Sequence, residues 1–138
     1  MLNFLDVNVL LALLWARHVH SELARAWFEQ NEEDCLFCRF AQLTVLRLLT
    51  TQSVMGNDTT SMVGAWHAWD RLAVDSKLAF APEPAALELD FRSQSRLPSR
   101  SPKVWADAYL LAFASAAGLR LVTFDRSLRS RGAHVLVL

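Results

Sequence analysis

The sequence predicts an α/β fold in which a mainly parallel β-sheet is covered by helices on both faces, an α/β/α sandwich. Short apolar segments of strand length alternate with longer segments that carry apolar residues at helical spacing. The chain has 138 residues, near the commonest size of one domain, and 53% of them are hydrophobic, enough to bury a sizeable core. Because no repeat or linker divides it, residues 1–138 are predicted to form a single domain.

Apolar patterning defines the individual elements in chain order. The strands are expected at residues 2–5, 35–38, 78–80, 119–123 and 135–138. The helices are expected at residues 9–14, 19–30, 41–51, from a Thr or Ser cap at 59–61 to about 74, 85–91 and 103–117. Pro84 suits the first turn of its helix, and Gly118 stands at the expected cap position of the last one. A turn-rich loop at 55–60 and a polar, proline-containing loop at 92–102 complete the chain.

Composition excludes several classes of protein. The formal net charge of +0 does not by itself indicate a polyanion partner. Cys35 and Cys38, the only cysteines, favour a reducing compartment over a disulfide scaffold. The apolar run at 9–16 is too short to span a membrane and has the wrong flanks for a signal peptide. A cytoplasmic protein without membrane contact is therefore expected.

Three aspartates are expected to meet at one edge of the sheet. Asp6 follows the first strand, Asp125 follows the fourth, and Asp107 lies near the start of the helix that leads into the fourth. The carboxyl ends of parallel strands share an edge, where open α/β folds keep their ligands. The alternative for the first stretch is that Asp6 or Asn8 only caps a helix.

Converging carboxylates repel one another, and a hard divalent cation such as Mg²⁺ relieves that repulsion. Such a site can activate water for phosphodiester cleavage, which makes nucleic acid the most plausible substrate. Basic residues border the aspartates, and phosphate contacts are expected from five of them: Arg92, Arg96, Arg100, Lys103 and Arg126. Arg120, Arg129 and Arg131 belong to the same basic segments. The alternative is that these segments are ordinary solvated loops.

Several stretches together resemble a known family. LDVNVLLALL at the start and KVWADAYLLAFASAAGLRLVTFDRSL near the end, with WHAWDRL and FAPEP between them, resemble the PIN-domain family, and in particular the VapC toxins of bacterial toxin–antitoxin pairs. TFD follows the helical aspartate at the family's spacing, 125 − 107 = 18 residues. The resemblance covers nearly the whole chain, and the ordered set of motifs is specific.

The resemblance implies a Mg²⁺- or Mn²⁺-dependent endoribonuclease that acts on an RNA such as tRNA or rRNA. It also implies a VapB-type antitoxin that blocks the site, and a homodimer. By matching position, Asp6, Asp107 and Asp125 would be the catalytic metal ligands, with Asn8 and Thr123 as supporting polar residues.

One departure from the family keeps a second function open. Many members carry a glutamate in the helix after the second strand, whereas here that helix, FAQLTVLRLLT, has no acid. A catalytically impaired PIN domain that binds RNA or a partner is therefore the alternative. A receiver or a haloacid-dehalogenase-like phosphatase is disfavoured, because the first lacks its adjacent acid pair and Asn8 stands where the second needs an aspartate.

Other conspicuous residues are expected to be structural. Zinc needs about four ligands, so the lone pair Cys35 and Cys38 is assigned to the core. His18 and His20 precede a helix without acidic partners and are expected to be solvated or capping. Trp66 and Trp69 form a helical stripe that is expected in the core rather than at an interface.

Overall fold

A five-stranded sheet with the order β3-β2-β1-β4-β5 forms the centre of the computed structural model, which describes residues 1–138. The strands are β1 (Asn3–Leu5), β2 (Cys35–Phe37), β3 (Leu78–Phe80), β4 (Arg120–Thr123) and β5 (Val135–Val137). All four pairings are parallel, with Phe4 of β1 opposite Leu36 on one side and Leu121 on the other. The mainly parallel sheet predicted from sequence is thus parallel throughout.

Helices cover both faces of the sheet. They are α1 (Val7–Leu14), α2 (Ser21–Gln30), α3 (Arg39–Leu49), α4 (Gln52–Met55), α5 (Met62–Ala73), α6 (Leu87–Gln94) and α7 (Val104–Ala117). The chain moves outward from β1 to β3 and then returns across the sheet to β4. Because crossovers between parallel strands are right-handed, α1 to α5 lie on one face and α6 and α7 on the other. The predicted sandwich is confirmed.

Some expected boundaries were wrong for local reasons. A short helix that was not predicted, α4 (Gln52–Met55), precedes the loop expected at 55–60, and the turn expected within that loop is a 3₁₀ turn at Gly56–Asp58. The loop predicted at 92–102 is shorter, because α6 continues to Gln94. Among the three candidate caps for α5, it is the Ser61 side chain that accepts a hydrogen bond from the Gly64 amide, at 3.1 Å. Gly118 ends α7 in the left-handed conformation (φ 68°), as predicted.

One apolar cluster joins the sheet to both helix layers. Phe4 of β1 stacks on Phe113 of α7 with ring centroids 4.5 Å apart, so the central strand is packed directly against the last long helix. Cys35 and Cys38 are buried free thiols, as expected of core residues. No helix combines the length and the apolar character needed to cross a bilayer.

The tryptophan stripe on α5 is divided. Trp69 is buried and meets the ring of Phe37 edge-on at 4.7 Å, so its assignment to the core is correct. Trp66 is 45% exposed, and its assignment to the core was wrong. Positions three apart on a helix are only about 60° apart around its axis, so Trp66 lies on the same side of α5 as Trp69 but at the margin of the buried face, where solvent reaches it.

Candidate active site at the carboxyl edge of the sheet

Asp6 is a buried carboxylate at the junction of β1 and α1. Its backbone is extended (φ −68°, ψ 157°), and one side-chain oxygen accepts a hydrogen bond from the Val7 amide at 2.6 Å, so it caps α1. The other oxygen accepts a hydrogen bond from the Thr123 hydroxyl at 2.6 Å. Only 6% of the residue is exposed. The capping interpretation is thus correct, and a cap alone does not require a carboxylate to be buried.

Burial raises the pKa of Asp6 to about 6. The hydrogen bonds from Thr123 and Val7 lower this pKa, whereas the negative charges of Asp107 and Asp125 raise it. Asp6 forms no ion pair, since the chain's ion pairs all involve other acids. Asp6 is therefore a buried acid whose ionised form has no cation to stabilise it.

Thr123 connects three parts of this edge. Its hydroxyl donates to Asp6 and accepts from the Asn8 side-chain amide at 3.3 Å and from the Asp125 backbone amide at 3.0 Å. Asn8 in turn accepts a hydrogen bond from the Phe124 amide at 3.3 Å. Thr123 is fully buried and its bond to Asp6 lies away from water, whereas the other bonds are partly buried. Asn8 and Thr123 thus hold the ends of β1 and β4 in a fixed relation.

Replacing Thr123 with valine, which has the same shape, is expected to destabilise the protein by about 1–3 kcal/mol, because buried polar groups lose their partner. The donors of Asn8 and Asp125 would lack an acceptor, and Asp6 would lose a donor. Urea denaturation with a chelator present measures the effect. Thr123→Ser keeps the hydroxyl and is the matched control. A valine variant as stable as the serine variant would contradict this account of the hydroxyl.

Asp107 and Asp125 lie at the same edge and are more accessible. Asp107 is in the first turn of α7, and burial followed by the charge of Asp125 raises its pKa. Asp125 directly follows β4 and accepts hydrogen bonds from the Ser127 hydroxyl at 2.7 Å and the Ser127 amide at 2.9 Å. These bonds lower the pKa of Asp125, and it remains ionised at neutral pH. One buried and two partly exposed acids therefore border a common region.

The carboxylate oxygens of Asp6, Asp107 and Asp125 are suitable ligands for a hard cation, although the three side chains do not converge on a single point. No three His, Cys, Asp or Glu side chains lie close enough together to surround a metal ion. Asp6 and Asp125 direct oxygens at hydrogen-bond donors of the chain instead. Mg²⁺ needs only one or two carboxylates, with water and substrate phosphate completing its coordination. The residues present fit such an open site, because the buried acid lacks a cation and accessible acids lie beside it.

A model of the PIN domain matches residues 4–133. The chain belongs to the PIN-domain family. Ribonuclease VapC41 of Mycobacterium tuberculosis is 38% identical over 139 residues, covering 96% of this chain and 95% of that protein. Ribonuclease VapC39 of the same organism is 33% identical over 141 residues, covering 99% and 98%. The crystal structure of VapC20 from M. tuberculosis, described as a sarcin–ricin loop cleaving toxin, has the same fold with a TM-score of 0.68, 16% identity and coverage of 94% and 95%.

The basic residues of this PIN domain differ in their relation to the acids. Lys103, directly before α7, is exposed, and its charge lowers the pKa values of Asp107 and Asp125. Arg126 is exposed directly after Asp125. Arg92 forms an ion pair with Glu88 at 3.3 Å and, with Arg96, lines a surface cavity of about 420 Å³ beside Trp105. Arg100 lies in the loop before α7. Lys103 and Arg126 are thus next to the aspartates, whereas the structure groups the other arginines with α6 and its loop.

Two residues of the PIN domain escaped the sequence-based selection. Arg131 was not chosen as a phosphate contact, yet its charge lowers the pKa of Asp107. Gln42 is the one polar side chain buried on α3, the helix that lacks the family's glutamate, and it accepts a hydrogen bond from Arg39. Its burial could not be seen in the sequence, because a glutamine three residues after an arginine looks like ordinary helix surface.

Proposed function

We propose that this protein is a Mg²⁺- or Mn²⁺-dependent endoribonuclease in which Asp6, Asp107 and Asp125 hold the metal. The chain is a VapC-type PIN-domain ribonuclease toxin by its relationship to VapC41 and VapC39, which it matches over nearly their full lengths. The observation that carries the assignment of the site is Asp6. A carboxylate that is 6% exposed, has no ion-pair partner and has two further acids nearby is expected where a cation binds.

The chain's own residues divide the work at this site. Thr123 orients the Asp6 carboxylate through its hydroxyl, and Asn8 fixes Thr123 through its side-chain amide. The more accessible Asp107 and Asp125 can approach an ion that enters from solvent. Lys103 and Arg131 attract the RNA phosphate to these acids. A bound Mg²⁺ or Mn²⁺ supplies Lewis-acid stabilisation of the phosphate charge and lowers the pKa of water.

The proposed partners are a structured RNA such as tRNA or rRNA, a VapB-type antitoxin and a second copy of the chain. VapC20, which shares the fold, is described as acting on the sarcin–ricin loop. Proteins select folded RNA by its shape and its exposed bases, which three carboxylates do not encode. The choice of target is therefore assigned to the surfaces around the site. An antitoxin-like reading frame directly upstream of the gene would support the antitoxin.

Metal-dependent cleavage is the direct test. The purified protein is incubated with tRNA and rRNA in a chelator, in Mg²⁺ and in Mn²⁺, and the products are resolved by gel electrophoresis and mapped. Cleavage in the two metals and none in the chelator is the expected result. RNA binding without cleavage under every condition would instead favour the impaired PIN domain, for which the acid-free α3 is the specific support. If the protein neither binds nor cleaves RNA, both functions are contradicted.

Reversing the charge of Lys103 is expected to weaken RNA binding about tenfold and to reduce its salt dependence, because a phosphate contact is replaced by a repulsion. Lys103 is exposed and makes no hydrogen bond through its side chain as a cap, so Lys103→Glu should fold normally. Fluorescence anisotropy over a series of salt concentrations measures the change.

Arg71→Glu is the matched control for Lys103→Glu. Arg71 is also exposed, but it lies in the last turn of α5. That turn leads into the start of β3, at the amino-terminal ends of the strands, whereas the aspartates lie at their carboxyl ends. It should bind RNA nearly as the wild type does. Equal losses in both variants would show that RNA binding follows overall charge and not a contact at this edge.

A further inference from the structure

Four rings form a continuous row that ends at the candidate active site. Trp15 meets His18 edge-on at 5.8 Å, and the rings of His18 and His20 are 5.7 Å apart. His20 stacks on Phe124 with centroids 4.4 Å apart and planes 16° from parallel. Phe124 stands between Thr123 and Asp125 in the chain. The loop between α1 and α2 thus stacks an imidazole on the residue that directly precedes Asp125.

The loop is held in this position by contacts that need no ligand. Trp15 donates its indole N–H to Asp58 at 2.8 Å, and Arg17 pairs with the same carboxylate at 3.2 Å. The His20 amide donates to Nδ1 of His18 at 3.0 Å. The backbone amide of Phe124 donates a hydrogen bond to the Asn8 side chain, and this bond fixes the position of Phe124. Both members of the stacked pair are therefore positioned in advance.

We propose that His20 and Phe124 form a stacking platform for an RNA base adjacent to the scissile phosphate, an inference that rests on the proposed ribonuclease function. His20 is exposed and stacks on Phe124, which directly precedes Asp125, and single-stranded RNA is recognised by bases stacking on Phe, Tyr, Trp and His. Lys103, whose charge acts on Asp125, lies at the same edge and can hold a neighbouring phosphate. The platform would therefore position the RNA at the site, for any base in the stacked position.

The alternative is that His20 only shields Phe124 from water. Substitution of His20 distinguishes this alternative from the stacking platform. Short single-stranded oligoribonucleotides carry one fluorescent adenine analogue at successive positions, and a chelator prevents cleavage. Binding of the wild type is expected to quench the analogue at one position. His20→Ala should lose this quenching and bind about tenfold more weakly, as expected for one stacked base. His20→Phe keeps a flat ring and should restore both signals.

The variants are expected to fold, and a matched control is present in the chain. His20 is at the N-cap of α2 but makes no side-chain cap hydrogen bond, so alanine removes no cap. His67 on α5 is also exposed and has no ring stacked on it, and His67→Ala should behave as the wild type. If His20→Ala quenches and binds like the wild type, the platform is overturned.

Cleavage assays separate this inference from the function on which it rests. For a wild type that cleaves RNA, His20→Ala is expected to raise KM about tenfold with little change in kcat, because stacking positions the substrate without taking part in bond breaking. Metal-dependent cleavage that is unchanged in His20→Ala would overturn the platform and leave the ribonuclease intact. Quenching that depends on His20 without cleavage in any metal would support the platform and overturn the ribonuclease.

Discussion

Asp6→Asn is expected to reduce RNA cleavage strongly while stabilising the metal-free protein. The loss of activity should be about a thousandfold, since the metal that this carboxylate is proposed to hold contributes several kcal/mol to the transition state. The gain in stability follows from removing a buried charge that has no cationic partner. Activity on RNA and urea denaturation with a chelator measure the two effects on the same preparations.

The size of the stabilisation follows from the pKa. Raising the pKa of Asp6 from its ordinary 3.8 to about 6 corresponds to about 3 kcal/mol of cost for the ionised form. Asparagine can still cap α1, but it cannot accept the bonds of both Thr123 and Val7, which costs about 1 kcal/mol. A net gain of about 1–2 kcal/mol is therefore expected at neutral pH. Loss of both activity and stability would contradict the account of Asp6 as an uncompensated buried acid.

The same shift predicts how stability depends on pH. Because the folded state holds the proton of Asp6 more tightly than the unfolded state, the protonated acid favours folding below pH 3.8, and this contribution is lost as the pH rises through about 6. The stability difference between Asp6→Asn and the wild type should therefore grow between about pH 4 and pH 7 and then level off. Parallel pH profiles of the two proteins would contradict the raised pKa.

Asp107→Asn is expected to lower RNA cleavage about a hundredfold and to weaken Mn²⁺ binding, with little change in stability, because one of three proposed ligands is lost from a partly exposed position. Burial disfavours this charge, whereas its place in the first turn of α7 favours it, so the two effects on stability oppose each other. Calorimetric titration with Mn²⁺ and initial cleavage rates provide the measurements.

Asp70→Asn is the control for Asp107→Asn. Asp70 is an exposed aspartate on α5, outside the group of three, and its substitution removes the same charge from the protein. It should bind Mn²⁺ and cleave RNA as the wild type does. Retention of Mn²⁺ binding by Asp107→Asn, or equal losses in both variants, would exclude Asp107 as a ligand.

Local patterns were sufficient for most of the secondary structure. All five strands were located to within one or two residues, and α7 was located to within one residue of its start. These elements have strong apolar runs or a clear glycine cap, and both signals come from neighbouring residues. The prediction failed at α4 and at the end of α6. These segments are short and rich in polar residues, so they show no apolar periodicity from which a helix could be predicted.

The candidate site was predictable only in outline. Asp6, Asp107 and Asp125 could be selected because each stands at an end of an element, but their metal ligation stays a prediction. The burial of Gln42 and the stacking of His20 on Phe124 had no sequence signal, and the sequence placed Arg131 only in a basic segment near the acids without indicating that its charge acts on Asp107. Each depends on which surfaces the sheet brings together.

The sequence by itself determined the alternation of strands and helices and the family to which the chain belongs. These properties are carried by short apolar periods and by motifs that can be recognised without any contact between distant residues. Only the tertiary structure decided the order of the strands and the partners of each polar side chain. The bond from Thr123 to Asp6 joins residues 117 positions apart, and it forms because β1 and β4 are neighbours in the sheet. That adjacency removes Asp6 from water and so creates the perturbed acid on which the proposed chemistry depends.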